Sequence, residues 1–239
     1  ISRRQWGLLA VVGVVSNAAP SFLFAYAQTG IDSNMAGILN SLTPLFTLLI
    51  GLGFFHIRAQ WYNVAGVFAG LLGAIGLIYF SGDGGFVFSF RYALFVLMAT
   101  ICYATSVNII KSLLPELDAL SITSVSFLVI GIPLLIYLLA FTGFIGYLQA
   151  GNGAWAGLGY ITILGVMGTA LALIFFNELI KMTSALFAAS VTYLIPLVAI
   201  AWGWIDGERL EWNYLAWIFL ILAGVYMVNI RPRKSKKNS

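Results

Sequence analysis

AGILNSLTPLFTLLIGLGFF, residues 36–55, decides the fold, and a near match, AASVTYLIPLVAIAWGWI, returns at residues 188–205. Each stretch is apolar, carries no charge and has one proline near its middle, Pro44 or Pro196. A proline inside a membrane helix removes one backbone donor and clashes with the carbonyl four residues back, freeing that carbonyl for another partner. The carbonyls predicted to be freed are those of Asn40 and Thr192. Polar backbone at membrane depth is tolerated where protein or a water-filled cavity satisfies it, so the two sites predict a shared polar cavity.

Composition sets the solvent. The chain is 61% apolar and 8% charged, whereas a soluble domain is about 25% charged. All 20 charged residues fall outside eight uncharged stretches: 6–26, 36–55, 61–80, 92–110, 119–141, 154–176, 185–205 and 214–230. About 20 apolar residues span a hydrocarbon core of about 30 Å, so these are predicted to be eight transmembrane helices. A β-barrel would show short segments alternating apolar and polar, and these runs are apolar all round. The single cysteine, Cys102, excludes an intramolecular disulfide. The first stretch is longer than the apolar core of a signal peptide and has no small-residue cleavage pattern behind it, so it reads as a span.

Basic residues favour the cytoplasmic side. Arg3, Arg4, Arg58, Lys111, Lys181, Arg231, Arg233, Lys234, Lys236 and Lys237 fall on one side of the predicted topology, and only Arg91 and Arg209 on the other. Ten against two puts both termini in the cytoplasm. The tail RPRKSKK is then an orientation signal and not a nucleic-acid patch.

Along the chain, the first span carries a polar, kink-prone centre of Ser16, Asn17, Pro20 and Ser21. The third holds Gly66, Gly70, Gly73 and Gly76, spaced so that another helix approaches closely. SGDGGFVFSFR, residues 81–91, is the boundary between halves and is expected outside. Pro133 is expected to kink the fifth span. Trp6, Trp61, Trp155, Trp204 and Trp212 lie near span ends, where aromatic rings anchor at the interface.

An offset of 152 residues matches Gly7 with Gly159, Gly13 with Gly165, Ala18 with Ala170, Phe24 with Phe176, Ala36 with Ala188, Pro44 with Pro196 and Gly51 with Gly203; at 151, Trp61 matches Trp212 and Gly73 matches Gly224. Spans one to three thus map onto six to eight with opposite directions across the membrane. Inverted repeats of this kind characterise many secondary transporters, whose sites lie near the midplane where the repeats meet. At ~1.5 Å per residue, Pro44 lies roughly 12 Å and Pro196 roughly 16 Å inside the membrane, which puts both prolines near the midplane.

The segments A-x7-P-L from Ala36 and Ala188, the following DGERLEW and the final AWIFLILAGVYMV together resemble the EamA-like drug/metabolite transporter family, as does MATICYATSVNIIKSLL in the fourth span. The resemblance covers almost the whole chain. It implies an all-α membrane protein of ten helices in two inverted five-helix repeats (5+5). Residues 1–80 are then the last three helices of the first repeat, 81–91 an outer linker, 92–230 the complete second repeat, and 231–239 a basic cytoplasmic tail. Two helices of that plan are expected upstream. The family's acidic position after the proline helix is filled by Glu208, but its first-repeat counterpart falls at His56.

The implied function is secondary transport of small metabolites, such as amino acids or related amphipathic solutes, across the plasma membrane, here a bacterial inner membrane. The central cavity is expected to be lined by the first, second, fourth, sixth and seventh spans, together with the first of the two helices expected upstream. Its candidate substrate-binding residues are Asn17, Tyr26, Asn40, Thr43, Tyr103, Asn108, Thr169, Thr192 and Tyr193, with Pro44 and Pro196 as hinges. Glu178 is the candidate ionisable relay, against an ordinary ion pair with Lys181 three residues on. No cofactor and no metal is expected, and the partners are the solute, the bilayer and a second copy of the chain in a homodimer. Two rivals remain. An intramembrane enzyme needs a Ser or Cys with a base, or several His and carboxylate ligands; this chain has one histidine, and Cys102 has no evident base. A membrane scaffold would rest on the glycines of the third span.

Overall fold

A computed structural model of the chain describes residues 1–31, 33–81, 90–151, 153–205 and 213–230. Every regular element among them is helical: α1 (Arg3–Ala27), α2 (33–54), α3 (Trp61–Ser81), α4 (Phe90–Leu113), α5 (Ala119–Phe141), α6 (Phe144–Gln149), α7 (Ala154–Met182), α8 (185–205) and α9 (Asn213–Asn229). The apolar cores of α1, α2, α4, α5 and α7 are long enough to cross a membrane, while α3, α8 and α9 hold shorter apolar helices. The chain is an all-helical membrane protein. The short α6 falls in a segment expected to be a loop. The linker at 82–89, the loop with Glu208 and Arg209, the tail at 231–239 and the side chains of Trp204 and Trp212 lie outside the described residues.

Four helices depart from regular geometry. In α1 a π-helical segment, Val14–Ala18, sits just before Pro20. Widening the turn there accommodates a residue that has no N–H and whose ring crowds the carbonyl of Ser16. A longer π segment, Leu164–Leu171, interrupts α7 without any proline. In α2 the helix breaks at Ser41 and Leu42 and restarts with Pro44 in its first turn, where the missing donor costs nothing. In α8 a 3-10 stretch, Val191–Leu194, precedes the turn that holds Pro196. By contrast, α5 runs unbroken through Pro133.

The carbonyls predicted to be free are engaged locally. Asn40 O accepts from the Thr43 hydroxyl at 2.7 Å, and Thr192 O accepts from the backbone N–H of Ile195. Both prolines therefore reshape their helices without leaving an orphan carbonyl.

The glycines of α3 are consumed in packing against α9 and α8. A Cβ on Gly224 would stand 2.5 Å from the amide nitrogen of Gly70 and 2.7 Å from the carbonyl oxygen of Gly66. A Cβ on Gly73 would meet the Ile221 nitrogen at 2.9 Å, and one on Gly70 the Tyr193 ring at 2.5 Å. Here backbone lies on backbone, and Leu71, Ala74, Leu77, Tyr193 and Ile221 form the buried cluster beside it. At the end of this seam Asn63 Nδ2 donates to the Val228 carbonyl at 2.9 Å.

The end of the bundle that carries Arg58, Lys111 and Lys181 is tied by a reciprocal lysine clasp. Lys111 Nζ donates to the Lys181 carbonyl at 2.8 Å. Lys181 Nζ in turn donates to the carbonyls of Leu114 (3.2 Å), Pro115 (2.7 Å) and Leu117. The clasp joins the C-terminal ends of α4 and α7, where carbonyls lack helical partners and a cation is favoured. The alternative ion pair between Lys181 and Glu178 does not form, because those carbonyls take the ammonium.

Candidate functional site

The irregular segments converge on a cavity of about 540 Å³. Its described lining comes from α1, α2, α4, α7 and α8, the five helices of this chain expected to contribute. From α1 come Ser16, Asn17 and Ser21; from α2, Asn40 and Thr43; from α4, Tyr103, Ser106, Val107 and Ile110. From α7 come Thr169, Phe176, Asn177 and their neighbours, and from α8 Ala189, Thr192 and Ile195. Asn17 lies in the π segment of α1 and Thr169 in that of α7, while Asn40 and Thr43 flank the break in α2 and Thr192 sits in the 3-10 stretch of α8. Deforming a helix rotates side chains out of register and exposes polar backbone, and each deformation delivers a polar residue to this space.

Among the described residues no lining residue is charged. Several polar groups are partly committed to the protein: Asn17 Nδ2 donates to Ser16 Oγ at 2.7 Å, Asn177 Nδ2 to Thr123 Oγ1 at 2.9 Å, and Thr192 Oγ1 to the Ala189 carbonyl at 2.8 Å. Others have no hydrogen-bond partner among the described residues, namely the hydroxyls of Tyr103, Ser106 and Thr169. Such a wall offers both donors and acceptors to an uncharged or internally neutral solute.

Toward the basic end the cavity has an apolar floor. Val107, Ile110 and Ile180 line it and also belong to a buried cluster with Leu9, Val12, Leu114, Ile122, Ala185 and Ala188. At the opposite end Ala27, Ile31, Ala36 and Val96 form a second cluster, with Phe24 packed on it and its ring 6.2 Å from that of Tyr103.

Six of the nine expected binding residues meet here: Asn17, Asn40, Thr43, Tyr103, Thr169 and Thr192. Three do not. The Tyr26 ring packs against Tyr92 and Phe95 near the end of α1, and its hydroxyl accepts from Arg91 at 3.4 Å. Asn108 is fully buried between α4 and α2 and donates to the carbonyls of Thr47 (3.0 Å) and Ala104 (2.9 Å). Tyr193, also fully buried, donates from its hydroxyl to the Val67 carbonyl on α3 at 3.0 Å. Glu178 is exposed on α7 and does not line the cavity. His56, just past α2, is exposed with φ 51°. Among the described residues no group of three or more His, Cys, Asp or Glu side chains is placed to hold a metal ion.

Sequence reasoning missed Ser16, Ser21, Ser106 and Asn177 as liners. Helical spacing held a signal for two of them: Ser106 follows Tyr103 by three residues, and Ser21 follows Asn17 by four and donates to its carbonyl at 2.7 Å.

Compared with known proteins, residues 1–79 and 90–230 match the profile of the EamA-like transporter family. The chain belongs to that family. A transporter of Archaeoglobus fulgidus with no assigned solute is 26% identical over 204 residues, 85% of this chain and 70% of that protein. The biotin transporter of Escherichia coli K12 is 33% identical over 57 residues, which is 24% of this chain and only 19% of the transporter's length. A crystal structure superposes on 100% of this chain and 79% of its own with a TM-score of 0.74 at 16% identity, a likeness of fold. Membership of that family, with relatives named as transporters, points to membrane transport and away from an enzyme.

Proposed function

We propose that this chain carries out secondary transport of a small neutral or zwitterionic metabolite by alternating access at the cavity between α1, α2, α4, α7 and α8. One observation carries the reading: an uncharged polar cavity of about 540 Å³ sits among four helices that all deform at its level. That volume lies within the ~300–1,000 Å³ usual for small-molecule sites. Pro44 and Pro196 serve as hinges, and Asn17, Asn40, Thr43, Tyr103, Thr169 and Thr192 as solute contacts, with Ser106 and Asn177 added. Tyr26, Asn108 and Tyr193 act through helix packing.

The deformations also support an inverted repeat. Shifted by 152 residues, Val14–Ala18 falls on 166–170, inside the π segment of α7, and the break at 41–42 falls on 193–194, inside the 3-10 stretch of α8. The two halves then rock about the cavity and open it alternately to each side. In this reading the basic end faces the cytoplasm of a bacterial cell, because cations favour that side. The scaffold alternative loses its support, since the α3 glycines are occupied within the chain.

The test is solute flux in cells expressing the complete gene, beside Asn40→Leu and Tyr103→Phe variants at equal membrane abundance, with a panel of neutral and zwitterionic amino acids as solutes and biotin, an anion at neutral pH, as the contrasting solute outside the proposed class. One or more solutes should show flux that falls at least about tenfold in Asn40→Leu, since a buried site left with unpaired polar groups discriminates strongly. Flux unchanged in both variants would overturn the site, and absence of flux for every solute would overturn the substrate class.

A further inference from the structure

Among the described residues one buried side-chain atom has no hydrogen-bond partner, the carbonyl oxygen Oδ1 of Asn108. Its residue is fully buried on α4. The amide nitrogen of the same side chain is doubly engaged, donating to Ala104 O at 2.9 Å on its own helix and to Thr47 O at 3.0 Å across on α2. Turning the amide over would not help, because Oδ1 would then face those two carbonyl oxygens. The Thr47 hydroxyl is no alternative, since its proton goes to the Thr43 carbonyl at 2.8 Å.

A glycine sets the surroundings of this oxygen. A Cβ on Gly51 would stand 2.9 Å from Oδ1 and 2.4 Å from Ile57 Cδ1, so only a bare Cα lets α2 close on α4 with Ile57 folded back over the junction. Ile57 lines a recess of about 530 Å³ at the basic end, together with Lys111 and Ala185. Val107 and Ile110, within two residues of Asn108, belong to the apolar floor of the central cavity. Asn108 thus lies in the partition between the two spaces, which must part for the central cavity to reach the basic end.

A carbonyl oxygen buried without a partner loses its hydration and gains no bond in return. That loss lasts only while α2 and α4 are in contact; once they part, water from the recess satisfies the atom. The two carbonyls that Asn108 bonds lie inside regular helix, where each already accepts a backbone N–H, so releasing the amide orphans neither. We propose that Asn108 is the latch of the basic end: it joins the Thr43–Phe54 half of α2 to α4, and its unpaired oxygen biases the partition toward opening. This rests on the alternating-access reading of the central cavity, and it assigns to that motion the residue that sets how often the basic end opens.

Asn108→Leu is the deciding variant. Leucine has nearly the same shape, leaves no unpaired oxygen in the closed state and exposes apolar surface in the open one, so both effects favour closure. In the complete protein, purified in uncharged detergent, amide hydrogen exchange over 47–54 and 104–111 should slow about tenfold, with Tm at or above that of the parent. Flux of any solute that the complete protein carries should fall with it. Gly51→Ala acts in the opposite sense: its methyl group meets Oδ1 and Ile57, wedges α2 from α4 and should speed the same exchange. Were Asn108 only a packing bond, Asn108→Leu would lower Tm and speed exchange; that result, or exchange unchanged in Asn108→Leu, would overturn the latch. Exchange is read without any solute, so a complete protein that carried none would overturn the transport reading while exchange still decides the latch.

Discussion

The seam between α3 and α9 and the wall of the central cavity solve opposite problems with the same kind of apolar helix. In the seam, regular helices meet through glycine, so that Gly66 and Gly70 lie against Gly224 with no room for a methyl group. Around the cavity, α1, α2, α7 and α8 give up regular geometry and hold space open; in the π segment of α7, Gly165, exposed and outside the cavity wall, has nothing within 4 Å of where a Cβ would stand. Lipid offers no hydrophobic drive for helix association, so close packing of small residues holds the first region together. In the second, polar side chains and loosened backbone prevent that closure. Glycine spacing thus predicts contact only where the helix is also regular.

Adding one side chain to each region breaks the comparison most sharply. Gly224→Leu drives carbons into the backbone of Gly66 and Gly70, which cannot rotate away, and should cost more than about 3 kcal/mol, the upper end for overpacking. The expected readout is loss of the monodisperse peak in size-exclusion chromatography. Gly165→Ala meets nothing and should leave Tm within a few degrees of the parent or raise it, since alanine is the better helix former. Equal damage from the two would mean that the π segment packs as tightly as the seam.

Tyr193 belongs to both regions, because it sits in the 3-10 stretch of α8 yet packs its ring on Gly70. Tyr193→Phe removes the hydrogen bond to Val67 and keeps the ring. Its cost should be about 0.6 kcal/mol, the average for hydrogen bonds measured inside a membrane protein, seen as a small fall in Tm with transport retained. Loss of transport at unchanged Tm would move Tyr193 into the solute site and extend the cavity to the seam.

Much of this was legible in the sequence. Eight uncharged stretches and the placement of charge gave the helices, and the polar groups beside Pro20, Pro44 and Pro196 gave three of the four deformed regions. The π segment of α7 carries no proline, and no residue announces it. What composition does not fix is the face on which a polar residue lies. Tyr103 and Asn108 are five residues apart, which at ~100° per residue turns Asn108 about 140° away from the cavity and into α2. Thr192 and Tyr193 are adjacent and so diverge by at least ~100°, one toward the cavity and the other toward α3. Tyr26 falls near the end of α1, where the helix meets Tyr92 and Phe95 of α4. Asn108 also keeps its Oδ1 unpartnered in a fully buried position beside Gly51, a cost that no inspection of residue types foretells.

The smallest expected effect separates both regions from the ends of helices, where water is present. Asp118 caps α5 by accepting from the Ser121 amide at 3.0 Å. Hydrogen bonding from Ser121, aided by the field of Lys181, holds its carboxyl below the ordinary value of 3.8. A carboxyl whose folded value is depressed stabilises the fold in full above the unfolded value, and the gain is lost as pH falls through the folded value. The cap therefore gives no pH dependence between about pH 5 and 8 and weakens only below about pH 4. Asp118→Asn keeps a good cap without the charge. Its Tm at neutral pH should lie within a degree or two of the parent, and the gap should close as pH falls below 4. A large gap at neutral pH that closed on acidification would mean that Lys181 depends on the Asp118 charge to hold the clasp, and that the basic end, unlike the seam and the cavity, is held by electrostatics and not by shape.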